Sequence, residues 1–399
     1  MKFLRLATAF VLLAGCERVV SPTPSRDSGL SQDVVPEVDS EVPADRAIPA
    51  DAGLVALARR LSAGLSHVCV LRDGRVTCAG GIVAGAMGFD PEGRPRPVQV
   101  PGMVVSISSF QNSACALSQT GDVYCWGNNF LGLGAGVTEV AQPSVATLSE
   151  ASFLSGAIGH CALRGDGAFC WGEVPVPGPT LADRPQRLDV EGDTVMLAAG
   201  FRFYCVLGAD HRVRCRGVND HGQSGRAPSP EAVPLTEVQG LQDAVEVRSG
   251  GAASCARRVS GRVACWGSNQ FGTLGTGRGG DQFVAADVPG LENVIQIAVS
   301  GANACAVTQD GAVWCWGTRQ AGLMGDGVRV ADDQSPDFVQ STPIRVPEVA
   351  DAVETAVGTE VACALRRDQS VWCWGRNNHS SLPWPNGTVS RPVRVVAAP

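Results

Sequence analysis

The sequence predicts an all-β protein, a seven-bladed β-propeller of four-stranded antiparallel blades that follows a signal peptide and a disordered tether. Three observations support this fold class. A pair of cysteines recurs seven times along the chain, and each pair brackets a pattern typical of a β-hairpin. The 399 residues also include 48 glycines and 25 prolines, a composition that favours short strands and turns over long helices.

The N-terminus predicts export from the cytoplasm. Two basic residues precede an apolar run, residues 6–13, which is too short to span a bilayer and is typical of a signal peptide. The next residues, LAGC at 13–16, resemble the lipobox of bacterial lipoproteins, which implies cleavage before Cys16 and a diacylglycerol on its sulfur. The alternative is an ordinary secretory signal in which Cys16 is incidental. We therefore expect residues 1–15 to be a lipoprotein signal peptide.

The segment after the signal peptide predicts a flexible connection. Residues 16–50 are rich in Pro, Ser, Asp, Glu and Val without a sustained period, as in a disordered tether. Residues 51–399 then form the propeller. The lipid is the only membrane contact that we expect, and it places the protein in the bacterial cell envelope, either periplasmic or at the cell surface.

Fourteen of the fifteen cysteines fall into seven pairs whose members lie nine or ten residues apart. The first members recur every 44 to 58 residues, a period that indicates a solenoid, a propeller or an array. The pairs are Cys69 with Cys78, Cys115 with Cys125, Cys161 with Cys170, Cys205 with Cys215, Cys255 with Cys265, Cys305 with Cys315, and Cys363 with Cys373.

Each pair brackets a predicted β-hairpin. In CALSQTGDVYCWG, residues 115–127, a three-residue loop puts Gly121 where a left-handed residue is needed. The nine-residue spacing of LSHVCVLRDGRVTC, residues 65–78, leaves a two-residue loop, Asp73-Gly74, that favours a type I′ turn. Gly165-Asp166 suits type II′. Both spacings place the cysteines opposite each other, with Cα atoms roughly 4.5–5.5 Å apart, within reach of a disulfide.

The neighbouring residues support this register. The residue after the second cysteine should face the residue before the first, and large side chains then meet small ones, as dense packing requires. The predicted facing pairs are Trp126 and Ala114, Trp266 and Ser254, Trp316 and Ala304, Trp374 and Ala362, Arg216 and Tyr204, Ala79 and Val68, and the exception, Trp171 and His160.

The rest of each repeat supplies two more strands. A Gly/Asn-rich loop such as WGNNFLGLGAG (126–136) leads to a Pro/Val segment such as STPIRV (341–346). A strand that ends in glycine, such as VEVRSGG (245–251), follows. Four strands in about 49 residues make one propeller blade, and seven blades close on themselves without an open sheet edge. A parallel β-helix is the rival fold, but its coils are shorter and have no hairpin turns.

At this point the sequence resembles a known family, that of the regulator of chromosome condensation repeat. The repeat reads G-x-x-H-x-C-x-L, D/G-x-V-x-C-W-G and N-x-x-G-x-L-G, and residues 64–67 and 269–275 match it closely. The resemblance covers roughly residues 53–399 and implies a seven-bladed propeller. Repeats 1, 3 and 4 depart from it with CAGG, EVPVPGP and CRG, and repeat 5 has Arg257 where leucine is usual.

The cysteine pattern favours structural disulfides over other uses. A metal site would need C-x2–4-C clusters with suitable histidines, and a redox site would favour one C-x-x-C pair. Seven equivalent pairs fit neither, although reduced buried cysteines remain an alternative. Fifteen cysteines also suit an oxidising compartment.

Strand direction predicts where a partner binds. The hairpin turns should lie on one rim, and the Gly/Asn-rich loops together with the turns before each first cysteine on the other. We expect a protein partner at this second rim; alternatively, its glycines and asparagines only form turns and its aspartates are a solvated surface. The candidate residues are Asp326, Asp332, Asp333, Asp337, His379 and Trp384.

Catalysis is not expected, and neither is a metal or another cofactor. The five histidines share no motif with a nucleophile, and His67 and His160 are interpreted as hydrogen-bonded turn residues at the repeat's own histidine position. A net charge of −7 disfavours nucleic acid as a partner. Carboxylate pairs for glycoside cleavage stay possible, because propeller sites gather residues that are distant in sequence.

The leading hypothesis is a monomeric, envelope-tethered propeller that acts as a non-catalytic protein-binding scaffold or inhibitor-like module. Relatives of the repeat include a nuclear nucleotide-exchange factor for a small GTPase and a secreted bacterial β-lactamase inhibitor, but an exported lipoprotein would not meet a cytoplasmic GTPase. The alternatives are a hydrolase or lyase acting on surface polysaccharide and a structural envelope protein. A central pocket lined by carboxylates would favour the enzyme.

Overall fold

The computed structural model describes residues 58–65, 67–80, 95–128, 139–140, 143, 147–156, 159–173, 181–190, 193–330, 335–377 and 387–396. Cys16 and the predicted signal peptide and tether lie outside these residues. Within them, the two helical segments are single 3₁₀ turns, Gln320–Gly322 and Pro336–Phe338. No helix in the described part of the chain is long and apolar enough to cross a membrane.

Twenty-eight strands form seven four-stranded antiparallel sheets in the described residues, as the sequence predicts, and each sheet uses four consecutive strands. Blade one contains β1 Leu61–Ala63, β2 His67–Arg72, β3 Arg75–Gly80 and β4 Arg96–Val98. Blade two contains β5 Val104–Phe110, β6 Ser113–Ser118, β7 Val123–Asn128 and β8 Glu139–Val140. Blade three contains β9 Ala151–Gly156, β10 His160–Arg164, β11 Gly167–Glu173 and β12 Leu181–Leu188.

The remaining four blades follow the same order. Blade four contains β13 Thr194–Gly200, β14 Phe203–Gly208, β15 Val213–Asn219 and β16 Ser229–Glu237. Blade five contains β17 Ala244–Gly250, β18 Ala253–Arg258, β19 Val263–Gly267 and β20 Gln282–Asp287. Blade six contains β21 Val294–Val299, β22 Asn303–Thr308, β23 Val313–Thr318 and β24 Val339–Arg345. Blade seven contains β25 Ala352–Val357, β26 Val361–Arg366, β27 Val371–Asn377 and β28 Gly387–Val396.

The first strands of the blades surround the propeller axis. Each packs against the first strands of the blades before and after it, and β1 of blade one contacts both β5 and β25. Blade seven is complete without a strand from the N-terminal segment, because β25 to β28 are consecutive. Among the described strands, the ring therefore closes by packing between blades one and seven and without strand exchange.

Each hairpin carries a disulfide between its second and third strands, and the pairing is the one that the cysteine spacing predicts. The bonded pairs, in chain order, are Cys69 with Cys78, Cys115 with Cys125, Cys161 with Cys170, Cys205 with Cys215, Cys255 with Cys265, Cys305 with Cys315, and Cys363 with Cys373. All fourteen cysteines are buried, so the disulfides belong to the core of each blade.

The two cysteines of each pair are direct register partners on adjacent antiparallel strands. The Cα atoms of Cys115 and Cys125, for example, lie 4.0 Å apart. This is closer than the sequence-based expectation of roughly 4.5–5.5 Å. All seven predicted facing pairs, including Trp171 and His160, are present.

Two of the three predicted turns are confirmed. Gly121 has a φ of 89°, and Asp73 and Gly74 have φ values of 47° and 72°, as a type I′ turn requires. The type II′ assignment for Gly165-Asp166 is wrong, because neither residue has a positive φ. The positive φ of this hairpin lies instead at Gly167, at 148°, in the first residue of β11.

Side chains from one blade bind the inner-edge amides of the next. Each acceptor side chain lies on the first strand of its blade. It is two residues before the residue that faces the first cysteine of that blade. The pairs are the Met196 thioether with Val247 N–H at 3.4 Å, the Glu246 carboxylate with Ile297 N–H at 3.4 Å, the Gln296 amide oxygen with Thr355 N–H at 2.9 Å, and the Glu354 carboxylate with Leu61 N–H at 3.2 Å. We call these four contacts the inner-edge bonds.

The last inner-edge bond joins blade seven to blade one. Glu354 also accepts from the backbone N–H of Arg60, at 3.1 Å, and one oxygen lies 3.8 Å from the Arg59 guanidinium. The next junction uses both backbone and side chain, since the Ile107 N–H donates to the Arg59 carbonyl at 3.0 Å and the Arg59 N–H donates to the Ser106 hydroxyl at 3.1 Å. Burial raises the pKa of Glu354, because desolvation disfavours its charged form.

We predict that E354A lowers the free energy of unfolding by about 3–5 kcal/mol, because two buried amides and Arg59 lose their acceptor. E354Q keeps an acceptor, as Gln296 does in blade six, and should cost less than half as much. Urea unfolding measures both. The control is E348A, which removes an exposed partner of Arg391 and should change stability by less than about 0.5 kcal/mol. Equal stabilities for E354A and E348A would contradict this closure.

Candidate functional site

The two rims of the propeller differ, as strand direction predicts. The turn between the first and second strands and the loop after the third strand are bonded together in the same blade. In blade five the Ser268 N–H donates to the Ala252 carbonyl at 2.9 Å, and in blade six the Thr318 N–H donates to the Ala302 carbonyl at 3.2 Å. We call this rim the loop face and the opposite rim, which carries the turns between second and third strands, the hairpin face.

A cavity of about 360 Å³ lies on the propeller axis and extends to the loop face. Its wall comes from the first strands of the blades, and its mouth from the turns that follow them, including Gly64, Gln111, Phe201 and Gly301. Serine and threonine side chains such as Ser62, Ser155 and Thr355 supply much of its polar lining. The size is enough for a small organic molecule.

Two arginines are the only charged residues among the described residues that line the cavity. They are Arg59 and Arg248, and both donate to the same oxygen of Glu246, at 3.0 and 3.1 Å. Arg257 donates to the other Glu246 oxygen at 3.3 Å. Glu246 is completely buried, and three guanidinium groups compensate its charge.

The arginine cluster carries a surplus of positive charge. Four arginines, Arg59, Arg60, Arg248 and Arg257, meet two carboxylates, Glu246 and Glu354. Burial, and next the nearby Arg59 charge, lower the pKa of Arg248 to about 10. Arg248 therefore stays charged at neutral pH, and the floor of the cavity is cationic.

The cavity does not resemble a glycosidase site. No Asp or Glu lines it in the described part of the chain, and the axial carboxylates, Glu246 and Glu354, are held by arginines and backbone amides. A pair of accessible carboxylates would be needed on either side of a sugar linkage. The described residues also contain no group of three or more His, Cys, Asp or Glu side chains that could hold a metal ion.

The Gly/Asn-rich loops of the loop face hold neighbouring blades together. The tryptophan after the second cysteine of one blade donates its indole N–H to a loop carbonyl of the preceding blade. The three pairs are Trp266 with Gln223 at 3.1 Å, Trp316 with Thr273 at 2.7 Å, and Trp374 with Leu323 at 2.8 Å. The repeat motif is thus a contact between blades, which the sequence analysis assigned only to packing within the hairpin.

The shape of these loops depends on asparagine and glycine. The Asn219 side-chain oxygen accepts from the Ser224 N–H at 2.9 Å, and Asn269 does the same for Leu274 at 3.2 Å. Gly275 has a φ of 66°, and a Cβ there would lie 2.7 Å from the Trp316 ring. The asparagines and glycines of these loops therefore act as turn formers. Only side chains that point outward from the loops are accessible to a partner.

The candidate rim residues separate into two groups. Asp332, Asp333, His379 and Trp384 lie outside the described residues. Asp326 is largely buried, forms a close ion pair with Arg319, and accepts from the Val328 N–H at 3.1 Å, so it holds its own loop. Asp337 is exposed on the 3₁₀ turn that leads into β24.

Exposed aromatic side chains on the loop face were missed from sequence. Phe201 is 50% exposed in the turn after β13, Phe271 is 37% exposed in the loop after β19, and Phe283 is 41% exposed near the start of β20. One signal was available. The position of Phe201, four residues before the first cysteine, varies among the repeats, and Phe201 is its one aromatic residue.

Two buried histidines flank blade two. His160 lies on β10, opposite Trp171, with its ring nitrogens 3.3 and 2.9 Å from the hydroxyls of Ser108 and Ser113. Neither ring nitrogen of His67, on β2, has a hydrogen-bond partner in the described chain. The interpretation of both as hydrogen-bonded turn residues at one repeat position is wrong. Both lie in strands. His67 is two residues and His160 one residue before the first cysteine of its blade. Of the two, only His160 forms side-chain hydrogen bonds in the described chain.

Burial lowers the pKa of His67 to about 4. Burial, and next the His67 charge, lower the pKa of His160 to about 3. Below pH 6.5 the unfolded chain thus binds more protons than the folded chain, and the free energy of unfolding falls as the pH decreases. We predict a loss of about 2 kcal/mol per histidine between pH 6.5 and pH 5.

Urea unfolding of wild type and H67N/H160Q at pH 7 and pH 5 measures this effect. The difference between the two pH values should be about 4 kcal/mol smaller in the variant, because neither replacement titrates. The same difference in both proteins would show that the histidines become protonated without unfolding.

Three segments match the family model described as "Regulator of chromosome condensation (RCC1) repeat". They are residues 104–132, 294–319 and 353–380, which lie in blades two, six and seven. None of the curated protein sequences matches the chain.

Solved structures of the same architecture cover most of the chain. Yeast RCC1 (Prp20), crystallised with Kap60, has a TM-score of 0.69 and 18% identity over 90% of this chain and 91% of its own. Human WBSCR16 has a TM-score of 0.64 and 20% identity over 79% of this chain and 88% of its own. Prp20p from Saccharomyces cerevisiae has a TM-score of 0.51 and 18% identity over 84% and 76%. Such identities show the fold alone. The chain thus carries RCC1-type repeats and folds as a seven-bladed β-propeller.

Proposed function

We propose that the protein is a monomeric, non-catalytic scaffold that binds a partner protein on its loop face. The observation that carries the proposal is the set of exposed aromatic side chains on loops that are fixed between blades. Phe201 is 50% exposed, and its backbone N–H donates to the Gly251 carbonyl of the next blade at 2.7 Å. Phe271 is 37% exposed, and its loop accepts the Trp316 indole N–H at the Thr273 carbonyl.

Rigid loops favour binding because little conformational entropy is lost when a partner docks. Exposed aromatic residues are the usual anchors at the centre of protein interfaces. The loops of the loop face also carry polar pairs: the His221 ring nitrogen lies 2.8 Å from Asp281, and Arg319 pairs with Asp326. Protein-binding surfaces combine apolar anchors with polar groups of this kind.

The compared structures support protein binding in general terms. Yeast RCC1 was crystallised bound to Kap60, and the study of Prp20p concerned its binding to Gsp1p and histones. Those partners belong to the yeast protein. For this chain the fold and the disulfide-bonded hairpins fit a binding scaffold or an inhibitor-like module, whereas the cavity lining gives no support to a polysaccharide hydrolase.

We predict that F201S/F271S reduces capture of the partner from envelope extract at least tenfold, because aromatic anchors contribute most of the binding energy. The readout is the amount of each specifically captured protein, compared with wild type. The matched control is M103S/V259S, which removes two apolar side chains of 59% and 64% exposure from the hairpin face. Equal losses in both variants, or none in F201S/F271S, would contradict the loop-face proposal.

We also propose that a lipid on Cys16 tethers the propeller to a bacterial envelope through residues 16–50. The support is the LAGC motif after a short apolar run. Labelled palmitate should be incorporated into the wild-type protein, and C16A should lose the label because its side chain has no sulfur to carry the lipid. Unchanged labelling of C16A would refute the lipid anchor, and the loop-face proposal would still stand.

A further inference from the structure

The axial cavity contains two buried polar groups without partners. The Nη2 atom of Arg248 and the hydroxyl of Ser109 make no hydrogen bond in the described part of the chain, although both residues line the cavity. Ser109 is only 6% exposed, and the Arg248 side chain is 11% exposed. Buried polar groups are almost always satisfied, so two such groups in one cavity indicate a ligand that completes them.

The charge of the cavity indicates the sign of that ligand. Arg59 and Arg248 are its only charged lining residues in the described chain, and Glu246 behind them is already shared by three arginines. The Nη2 atom of Arg59 is occupied, because it also donates to the Ile297 carbonyl at 2.8 Å. The Nη2 atom of Arg248 has no partner, in a site with surplus positive charge and no carboxylate among its described lining residues.

The two unpaired donors, Arg248 Nη2 and the Ser109 hydroxyl, indicate the chemical class. A guanidinium nitrogen and a hydroxyl match a carboxylate that carries one further acceptor group. Ser109 belongs to blade two and Arg248 to blade five, so the two donors approach the cavity from well-separated parts of the ring. The apolar part of the lining, including Ile107, Leu154 and Val357, favours an organic acid over phosphate.

We propose that the axial cavity is a binding site for a small carboxylate, which Arg248 binds through its charged end and Ser109 through a second acceptor. The cavity volume of about 360 Å³ suits a small dicarboxylate or the last residues of a peptide. The carboxylate comes either from a free small acid or from the C-terminus of a bound protein. Phe201 is the one exposed loop-face aromatic among the described lining residues, and it supplies neither donor, so R248Q and S109A test this site separately from partner binding at the aromatic residues.

Calorimetric titration of the full chain tests the site. The probes are succinate, phosphate, and a tetrapeptide with either a free or an amidated C-terminus. Saturable binding of succinate alone identifies a free acid, and binding of the free but not the amidated peptide identifies a protein terminus. No saturable binding of succinate or the free peptide, or tighter binding of phosphate than of both, would overturn the proposal.

Variants locate the bound carboxylate. R248Q should weaken binding at least tenfold, and S109A about threefold to tenfold. S109A removes a hydroxyl that has no partner in the described part of the protein, so it should fold like wild type. The control is S300A in the same cavity, whose hydroxyl already donates to the Asn303 carbonyl, and it should bind like wild type. Unchanged binding by both R248Q and S109A, with far-ultraviolet circular dichroism as in wild type, would place the ligand elsewhere and refute the site.

Discussion

The rest of the structure depends on how the inner edges of the seven sheets are satisfied. The first strand of each sheet leaves N–H groups on its inner edge without a partner strand, and unpaired buried amides are costly. Four blades solve this with a side chain at one register position, and the acceptor can be a thioether, an amide or a carboxylate. Because the last of these bonds joins Glu354 to Leu61, the same device that binds successive blades also closes the ring.

Two other interactions recur in the propeller, disulfides within each blade and indole-to-carbonyl hydrogen bonds between blades. The disulfides join the second and third strands within each blade, so each hairpin is cross-linked without any contact from another blade. The indole-to-carbonyl bonds join the loop of one blade to the hairpin of the next. Together these contacts hold the loops of the loop face to their own blade and to the next blade. A rigid loop face and a cationic axial cavity are both products of this arrangement.

Local rules predicted the fold almost completely, because hairpin register depends on residues that are close in sequence. The facing pair of Trp316 and Ala304 follows from cysteine spacing and turn length alone. The axial site could not be predicted in this way. Arg59 and Glu246 are 187 residues apart, and nothing local indicates that they meet. The wrong assignment of the Gly165-Asp166 turn arose because several turn types fit a two-residue loop, and the positive φ moved to Gly167.

Backbone amide hydrogen exchange of the oxidised protein tests the inner-edge bonds most directly. The amides to follow are those of Leu61, Val247, Ile297 and Thr355, each bound by a side chain of the preceding blade. If these bonds hold the ring together, the four amides exchange only through global unfolding, at the rate of the slowest amides in the protein. Exchange of these four amides as fast as that of exposed turn amides would contradict the account.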